Sequence, residues 1–198
     1  MASRCQNYQI QNLLTSIFPR VRIGTLKIEL LGWIMKVYLF RHAQKSSTPW
    51  DNPPLSDYGF SQSLMLADIV VNRRKLEIPQ HLLCSPKLRC QQSLAPLARV
   101  LDCQIEVQNI LDERDLNESY PEFSMRVRDF LDSLTEKAAH FKGCFYLCSH
   151  LDWIEEALIR IPCDRDLLAL AQWPPLSYIA FEIEGGLWKF IEFKPIEV

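Results

Sequence analysis

The 198-residue chain predicts an α/β fold: a three-layer α/β/α sandwich around a mostly parallel central sheet. Three observations carry this. From residue 35 onward, short apolar runs alternate with segments of helical period, the pattern of strands joined by helical crossovers. Three of those runs, "VYLF", "LLCS" and "FYLC", carry no charge, as strands covered on both faces do. The apolar content, 48%, is enough for one real core at this length and leaves little for a second domain.

Each element has its own signal. "KVYLF" (36–40) reads as a buried strand, followed by a Pro-containing loop, "STPWDNPPLS" (47–56). A helix is expected from about Asp57 to Arg74, with Phe60, Leu64, Ala67 and Val71 on its inner face. "HLLCS" (81–85) is a short strand. Residues 87–101 place Cys90, Leu94, Leu97, Ala98 and Leu101 at helical spacing, with a kink expected at Pro96. "QIEV" (104–107) is another short strand. Ser119-x-x-Glu122 has the form of a capping box; it opens a helix with Phe123, Val127, Phe130, Leu131, Leu134 and Ala138 on one face, stopped by Gly143. "CFYLCS" (144–149) is an uncharged strand, and a further helix begins near Leu151. "SYIAFEI" and "LWKFIEF", flanking Glu184-Gly185-Gly186, read as a hairpin.

The first 34 residues lack a clear period and carry four Lys/Arg against one acid. They show no secretory apolar region with a small-residue cleavage site. Met35 stands one residue before the first convincing strand. Residues 1–34 are therefore expected to be an extension, or to precede a natural start at Met35, with residues 35–198 forming the domain. No uncharged apolar run reaches 18 residues, so no membrane partner is expected.

Net charge is −2, which argues against a nucleic-acid partner. The seven cysteines (5, 84, 90, 103, 144, 148 and 163) form no CxxC pair and no zinc spacing, so no metal and no cofactor is expected. Buried reduced thiols in a cytoplasmic protein account for them best.

The chemistry-bearing residues gather at strand ends. "VYLF" runs into Arg41-His42, "LLCS" leads through Pro86 to Arg89, and "FYLC" ends at Ser149-His150. In a parallel sheet these ends share one edge, where ligands bind. No carboxylate stands beside them in sequence. Two buried guanidiniums would cost several kcal/mol if left unpaired, on the order expected for a desolvated ion. A phosphoryl group resolves this, because guanidinium forks match its oxygens. A neutral imidazole is a competent nucleophile near neutral pH. Backbone N–H groups at Leu151, at a helix start, would add to the anion site.

These stretches resemble the histidine phosphatase superfamily, also called phosphoglycerate-mutase-like. "FRHAQKS" resembles its R-H-G/A segment, "PLSDYGFSQ" its L-T/S-x-x-G-x-x-Q segment, "CSPKLRCQQS" its S-P-x-x-R-x-x-Q-T/S segment, and "YLCSHLDWI" the segment carrying the second histidine. The resemblance spans residues 36 to about 193, in order. The resemblance implies His42 as nucleophile, with Arg41, Arg89 and His150 completing the phosphate pocket. Ala43 and Leu151 replace glycines, as in the small phosphohistidine-phosphatase-like (SixA-like) branch. The short interval from Arg89 to His150 implies an open, shallow site. "LDERD" (111–115) resembles the stretch carrying the general acid, making Glu113 the candidate, but the Gly/aromatic sequence that usually follows is missing.

The expected function is a metal-independent phosphatase acting through His42 on a phosphorylated (phosphohistidine) protein. The alternatives are a small-molecule phosphomonoesterase using Glu113, taking a small phosphate ester, and a catalytically weak phosphate-binding module. Mutase activity is not expected in so short a chain. Ser85 lacks a G-x-S-x-G elbow and is expected to fix the turn that aims Arg89. Gln92 and Ser93 are expected to orient the following helix. Ser47 or Thr48 are expected at the pocket, Gly59 at the helix start, Trp50 and Trp173 at rim or core, and His81 and His140 away from the site.

Overall fold

In the computed structural model, which describes residues 34–167, 169–170 and 172–197, the apolar runs form one six-stranded sheet. The extension assigned to residues 1–34 lies, apart from Ile34, outside the described residues. The strands are β1 (Met35–Arg41), β2 (His81–Cys84), β3 (Ile105–Val107), β4 (Gly143–Ser149), β5 (Ser177–Glu184) and β6 (Leu187–Pro195). Their order is β3-β2-β4-β1-β5-β6. β3, β2, β4 and β1 run parallel; β5 and β6 are antiparallel additions on the far side of β1. Gly185 and Gly186 take φ of 59° and 85° in the β5–β6 turn, a left-handed pair that only glycine adopts freely.

The helices are α1 (Asp57–Val71), α2 (Leu88–Leu101), α3 (Tyr120–Ala138) and α4 (Leu151–Arg160). Side chains alternate along each central strand, so each strand feeds two cores. Tyr38, Phe40, Cys84, Tyr146 and Cys148 pack with Leu66, Val70, Leu94 and Leu97 of α1 and α2. Val37, Leu39, Phe145 and Leu147 pack with Val127, Phe130, Leu134, Trp153 and Ile154 of α3 and α4. Each fully buried large side chain contributes about 1.5–3 kcal/mol, and this explains why the central runs tolerate no charge. None of these helices is long and apolar enough to cross a membrane.

The α3 capping box forms as its sequence requires: Ser119 Oγ accepts from Glu122 N–H while the Glu122 carboxylate accepts from Ser119 N–H. The helix ends at Ala138, ahead of Gly143, which instead opens β4. α2 continues through Pro96 to Leu101.

The inner face of α1 differs from expectation. Phe60 and Leu64 are 53% and 50% exposed, while Gly59, Gln62, Ser63, Leu66, Ala67 and Val70 are buried. Two contacts turn the helix this way. A Cβ on Gly59 would lie 2.0 Å from the Gln44 carbonyl oxygen, so only glycine allows this approach. Gln62 is satisfied inside, accepting from Gln44 N–H at 3.0 Å and donating to Pro175 O at 2.9 Å. A polar side chain with partners at both ends is buried at little cost, and periodicity alone cannot register that.

Candidate active site

Arg41 pairs in register with Ser149 across β1 and β4, so the next residues, His42 and His150, emerge side by side. Their ring centroids lie 5.4 Å apart. β2 ends on the same edge, where Ser85 N–H donates to Cys148 O. α2 then starts and brings Arg89 beside His150. Four residues from three strand ends thus meet at the carboxyl edge of the parallel strands, as their positions predicted.

His42 is 7% exposed. Its Nδ1–H donates to the Ala43 carbonyl at 2.7 Å, which leaves Nε2 with its lone pair free. Burial lowers the imidazole pKa to about 3; the Ala43 bond opposes this, while the His150, Arg89 and Arg41 charges add to it. The ring is neutral at physiological pH. Ser93 Oγ accepts from Ala43 N–H at 2.8 Å and donates to Arg89 O at 2.6 Å, linking the nucleophile's strand end to the helix of the arginine.

Arg89, 2% exposed, donates from Nη2 to Glu113 Oε2 at 2.6 Å and to His150 Nδ1 at 3.1 Å. Arg41 donates from Nη1 to the Trp173 carbonyl. Burial lowers its pKa, with Glu155 acting in opposition. The Nε groups of both arginines are buried and have no hydrogen-bond partner among the described residues. Two buried guanidinium donors without acceptors are costly in a finished core, and an anion is what such groups receive. His150 caps the start of α4 without a side-chain bond, so the first N–H groups of that helix, at Leu151, face the same edge with the positive end of the helix.

Carboxylates complete the cluster. Glu113 belongs to the cluster, and Asp112, which the sequence did not single out, stands beside it. Both come from the turn after β3, distant in sequence from the three strand ends. Asp112 Oδ1 accepts from Ser85 Oγ at 2.8 Å and from Glu113 N–H at 3.0 Å, and lies 3.3 Å from His150 Nε2. Ser85 Oγ in turn lies 2.7 Å from His150 Nε2, so Ser85 orients the histidine more directly than it aims Arg89. Burial would raise the Glu113 carboxyl, but the Arg89 bond and the His150, Arg89 and Lys87 charges outweigh it, holding the group below the usual carboxylate range. Asp112 follows the same logic, with His150, Ser85 and Lys87 outweighing burial. The only sequence signal for Asp112 is its adjacency to Glu113.

His42, Arg89 and His150 are nearly buried, and residues 173–176 hydrogen-bond to the β1 end of the cluster. Besides the Trp173 carbonyl, Leu176 N–H donates to His42 O at 3.1 Å and Pro175 O takes the Gln62 amide. Trp173 is accordingly core, and Trp50 is exposed. Ser47 and Thr48 are exposed in their loop. Gln92 accepts from Leu55 N–H, tying the loop after His42 to α2. His81 stacks on Phe145 and pairs with Glu106, away from the cluster.

Paired histidines and arginines at the carboxyl edge of parallel strands make a site suited to an anion. Residues 37–118 match the model of the histidine phosphatase superfamily (branch 1). The matched segment is similar to that superfamily and carries Arg41, His42, Arg89 and Glu113 of the cluster. Among solved structures, the protein histidine phosphatase SixA complexed with tungstate is similar at 20% identity and a TM-score of 0.62, over 81% of this chain and 97% of that one. A mycobacterial glucosyl-3-phosphoglycerate phosphatase is similar at 15% identity and a TM-score of 0.64, over 82% and 99%. A phosphoglycerate mutase from Bacillus anthracis is similar at 13% identity and a TM-score of 0.65, over 81% and 93%. At these identities the structures share the fold. No curated protein matches the chain in sequence.

Proposed function

We propose that the chain hydrolyses phosphohistidine on a protein substrate, by way of a covalent phosphohistidine on His42. His42 Nε2 attacks phosphorus, the bond to the leaving nitrogen breaks with its electron pair returning to a substrate ring protonated on its other nitrogen, and neutral imidazole departs. Water then attacks the phosphorylated His42, the new P–N bond breaks, and inorganic phosphate leaves with His42 restored. Arg41, Arg89, His150 and the Leu151 N–H face the phosphoryl oxygens. Their role is positioning and charge stabilisation, which is most of what phosphoryl transfer needs. The arginines supply the positive charge, and no step as proposed calls on a metal.

The observation that carries the choice of substrate is the state of Glu113. Paired with Arg89 at 2.6 Å and held below the ordinary carboxylate range, it meets the substrate without a proton to give. An alkoxide leaving group needs that proton. Imidazole leaves more readily and needs no proton from Glu113.

The second reading, a small-molecule phosphomonoesterase with Glu113 as general acid, is favoured by one fact: Glu113 lies within the cluster and not on an outlying loop. Glu113→Gln separates the two. For a phosphohistidine protein the rate should change by no more than a few-fold. A loss of about 10²–10⁴-fold on alkyl phosphate esters, shrinking for p-nitrophenyl phosphate, would instead establish the monoesterase.

A further inference from the structure

Two large apolar side chains stand almost wholly in water, and both flank the candidate site. Trp50 is 88% exposed and Leu116 is 98% exposed; the next among the described residues, Val100, is 59%. Trp50 is on the loop between β1 and α1, a short way beyond His42. Leu116 is on the turn between β3 and α3, close after Glu113.

The sheet order puts one on each side of the site. β4 and β2, which lead to His150 and Arg89, lie between β1 and β3. At about 4.8 Å per strand spacing, the bases of the two loops are about 14 Å apart. α1 packs on one face of the sheet and α3 on the other, so the loops also leave toward opposite layers.

Both tips are held by hydrogen bonds. The Trp50 loop is closed by the Lys45–Leu55 bridge and by Ser46 N–H donating to Pro54 O at 2.8 Å. Leu88 N–H donates to Asn52 Oδ1 at 3.0 Å and Leu55 N–H to Gln92 Oε1 at 2.8 Å, so the loop is tied twice to α2. The Leu116 turn closes through Glu118 N–H donating to Asp115 O at 3.0 Å and Asn117 N–H to Asp115 Oδ1 at 2.8 Å. Arg126 of α3 staples its two ends, donating to Asp112 O at 3.0 Å and to Glu118 Oε2 at 2.7 Å. An apolar side chain on a fixed tip has little freedom left to lose on binding, which is what makes an anchor effective.

We infer that Trp50 and Leu116 are anchors for a protein substrate, holding its apolar surface on either side of the phosphohistidine while that side chain reaches His42. The inference rests on the phosphohistidine reading above and names the surface that recognises such a protein. A partner that touches both tips must be at least as broad as their separation, which a small phosphate ester held by Arg41 and Arg89 is not. The charges on the two loops are mixed: Lys45 and Asp51 on the first, Arg114 and Asp115 on the second, with Glu118 matched by Arg126. Neither sign dominates, as nucleic acid or an anionic bilayer would require, so the attraction is apolar.

The test replaces Trp50 and Leu116 with serine, singly and together. Both side chains are exposed, and an unchanged melting curve is the control. The probes are a histone phosphorylated on histidine with phosphoramidate, free phosphohistidine, and p-nitrophenyl phosphate. The double variant should lose at least about tenfold in kcat/KM on the histone, through KM and not kcat, and stay within about twofold of the parent on both small compounds. Each single variant should lose part of this. An undiminished kcat/KM on the histone would overturn the inference, as would an equal loss on all three probes, the mark of a disturbed site. Flotation of the parent with phosphatidylcholine–phosphatidylserine vesicles, lost in the double variant, would overturn it by assigning the tips to a lipid surface. A parent dimer dissolved by the double substitution would overturn it by assigning them to a second copy of the chain. A parent that hydrolyses p-nitrophenyl phosphate but neither phosphohistidine probe refutes the phosphohistidine reading and this inference with it. A parent active on the histone, with the double variant unaffected, refutes this inference alone.

Discussion

Replacing Arg89 with lysine keeps the charge at the centre of the site and removes the planar fork. Arg89 uses Nη2 to reach both Glu113 Oε2 and His150 Nδ1, while Nε has no partner among the described residues. A guanidinium can therefore hold Glu113 and still offer parallel donors to a phosphoryl group. A lysine ammonium can replace the Glu113 contact but has no second edge to present. Losing one charge-assisted hydrogen bond in the transition state costs about 1.5–3 kcal/mol. At about 1.4 kcal/mol per factor of ten, kcat/KM should fall roughly 10- to 150-fold. Because the buried charge stays paired with Glu113, the melting temperature should move little. The assay is kcat/KM on p-nitrophenyl phosphate and on a phosphohistidine protein, with a melting curve as control. A variant within twofold of the parent, with unchanged melting, would mean that Arg89 is tied up by Glu113 and does not touch the phosphate.

Three further outcomes follow from the same geometry. His42→Ala should abolish turnover with the fold intact, and rapid quench with labelled substrate should trap an acid-labile, base-stable phosphoenzyme only in the parent; label trapped in the variant at parent levels would place the nucleophile elsewhere. Gly59→Ala forces a Cβ to 2.0 Å from the Gln44 carbonyl, so α1 must shift, at a cost of about 1–3 kcal/mol in stability, and since Gln44 lies two residues from His42 the rate should drop as well; unchanged melting and rate would show that the loop yields freely. His42 is neutral when folded down to about pH 3, whereas the unfolded chain takes up its proton below about 6.5; stability from this group is full above 6.5 and declines as pH falls toward 3, and kcat/KM should show no acid limb near 6.5 due to His42. An NMR titration placing His42 near 6.5 would contradict its burial.

Much of this site was legible because its parts stand at the ends of uncharged strands. "VYLF", "LLCS" and "FYLC" can only be central strands, a parallel sheet brings their carboxyl ends together, and Arg41, His42, Arg89 and His150 are the residues at those ends. The Ser119–Glu122 capping box and the Gly185-Gly186 turn were equally plain, since capping and left-handed turns are decided within a few residues. What the tertiary structure alone decided depends on partners far apart in the chain. Glu113 and Asp112 join the cluster because β3 pairs with β2 and delivers the next turn to His150. The expected inner face of α1 failed because Gln62 finds Gln44 and Pro175 inside, and Gly59 lets the helix close onto the loop after His42. Residues 173–176, some 130 positions beyond Arg41, hydrogen-bond to the strand end that carries the nucleophile, a contact no local pattern announces. Periodicity reports which side chains can be buried; whether a polar one is buried depends on the acceptor it meets there, and only the packed chain supplies it.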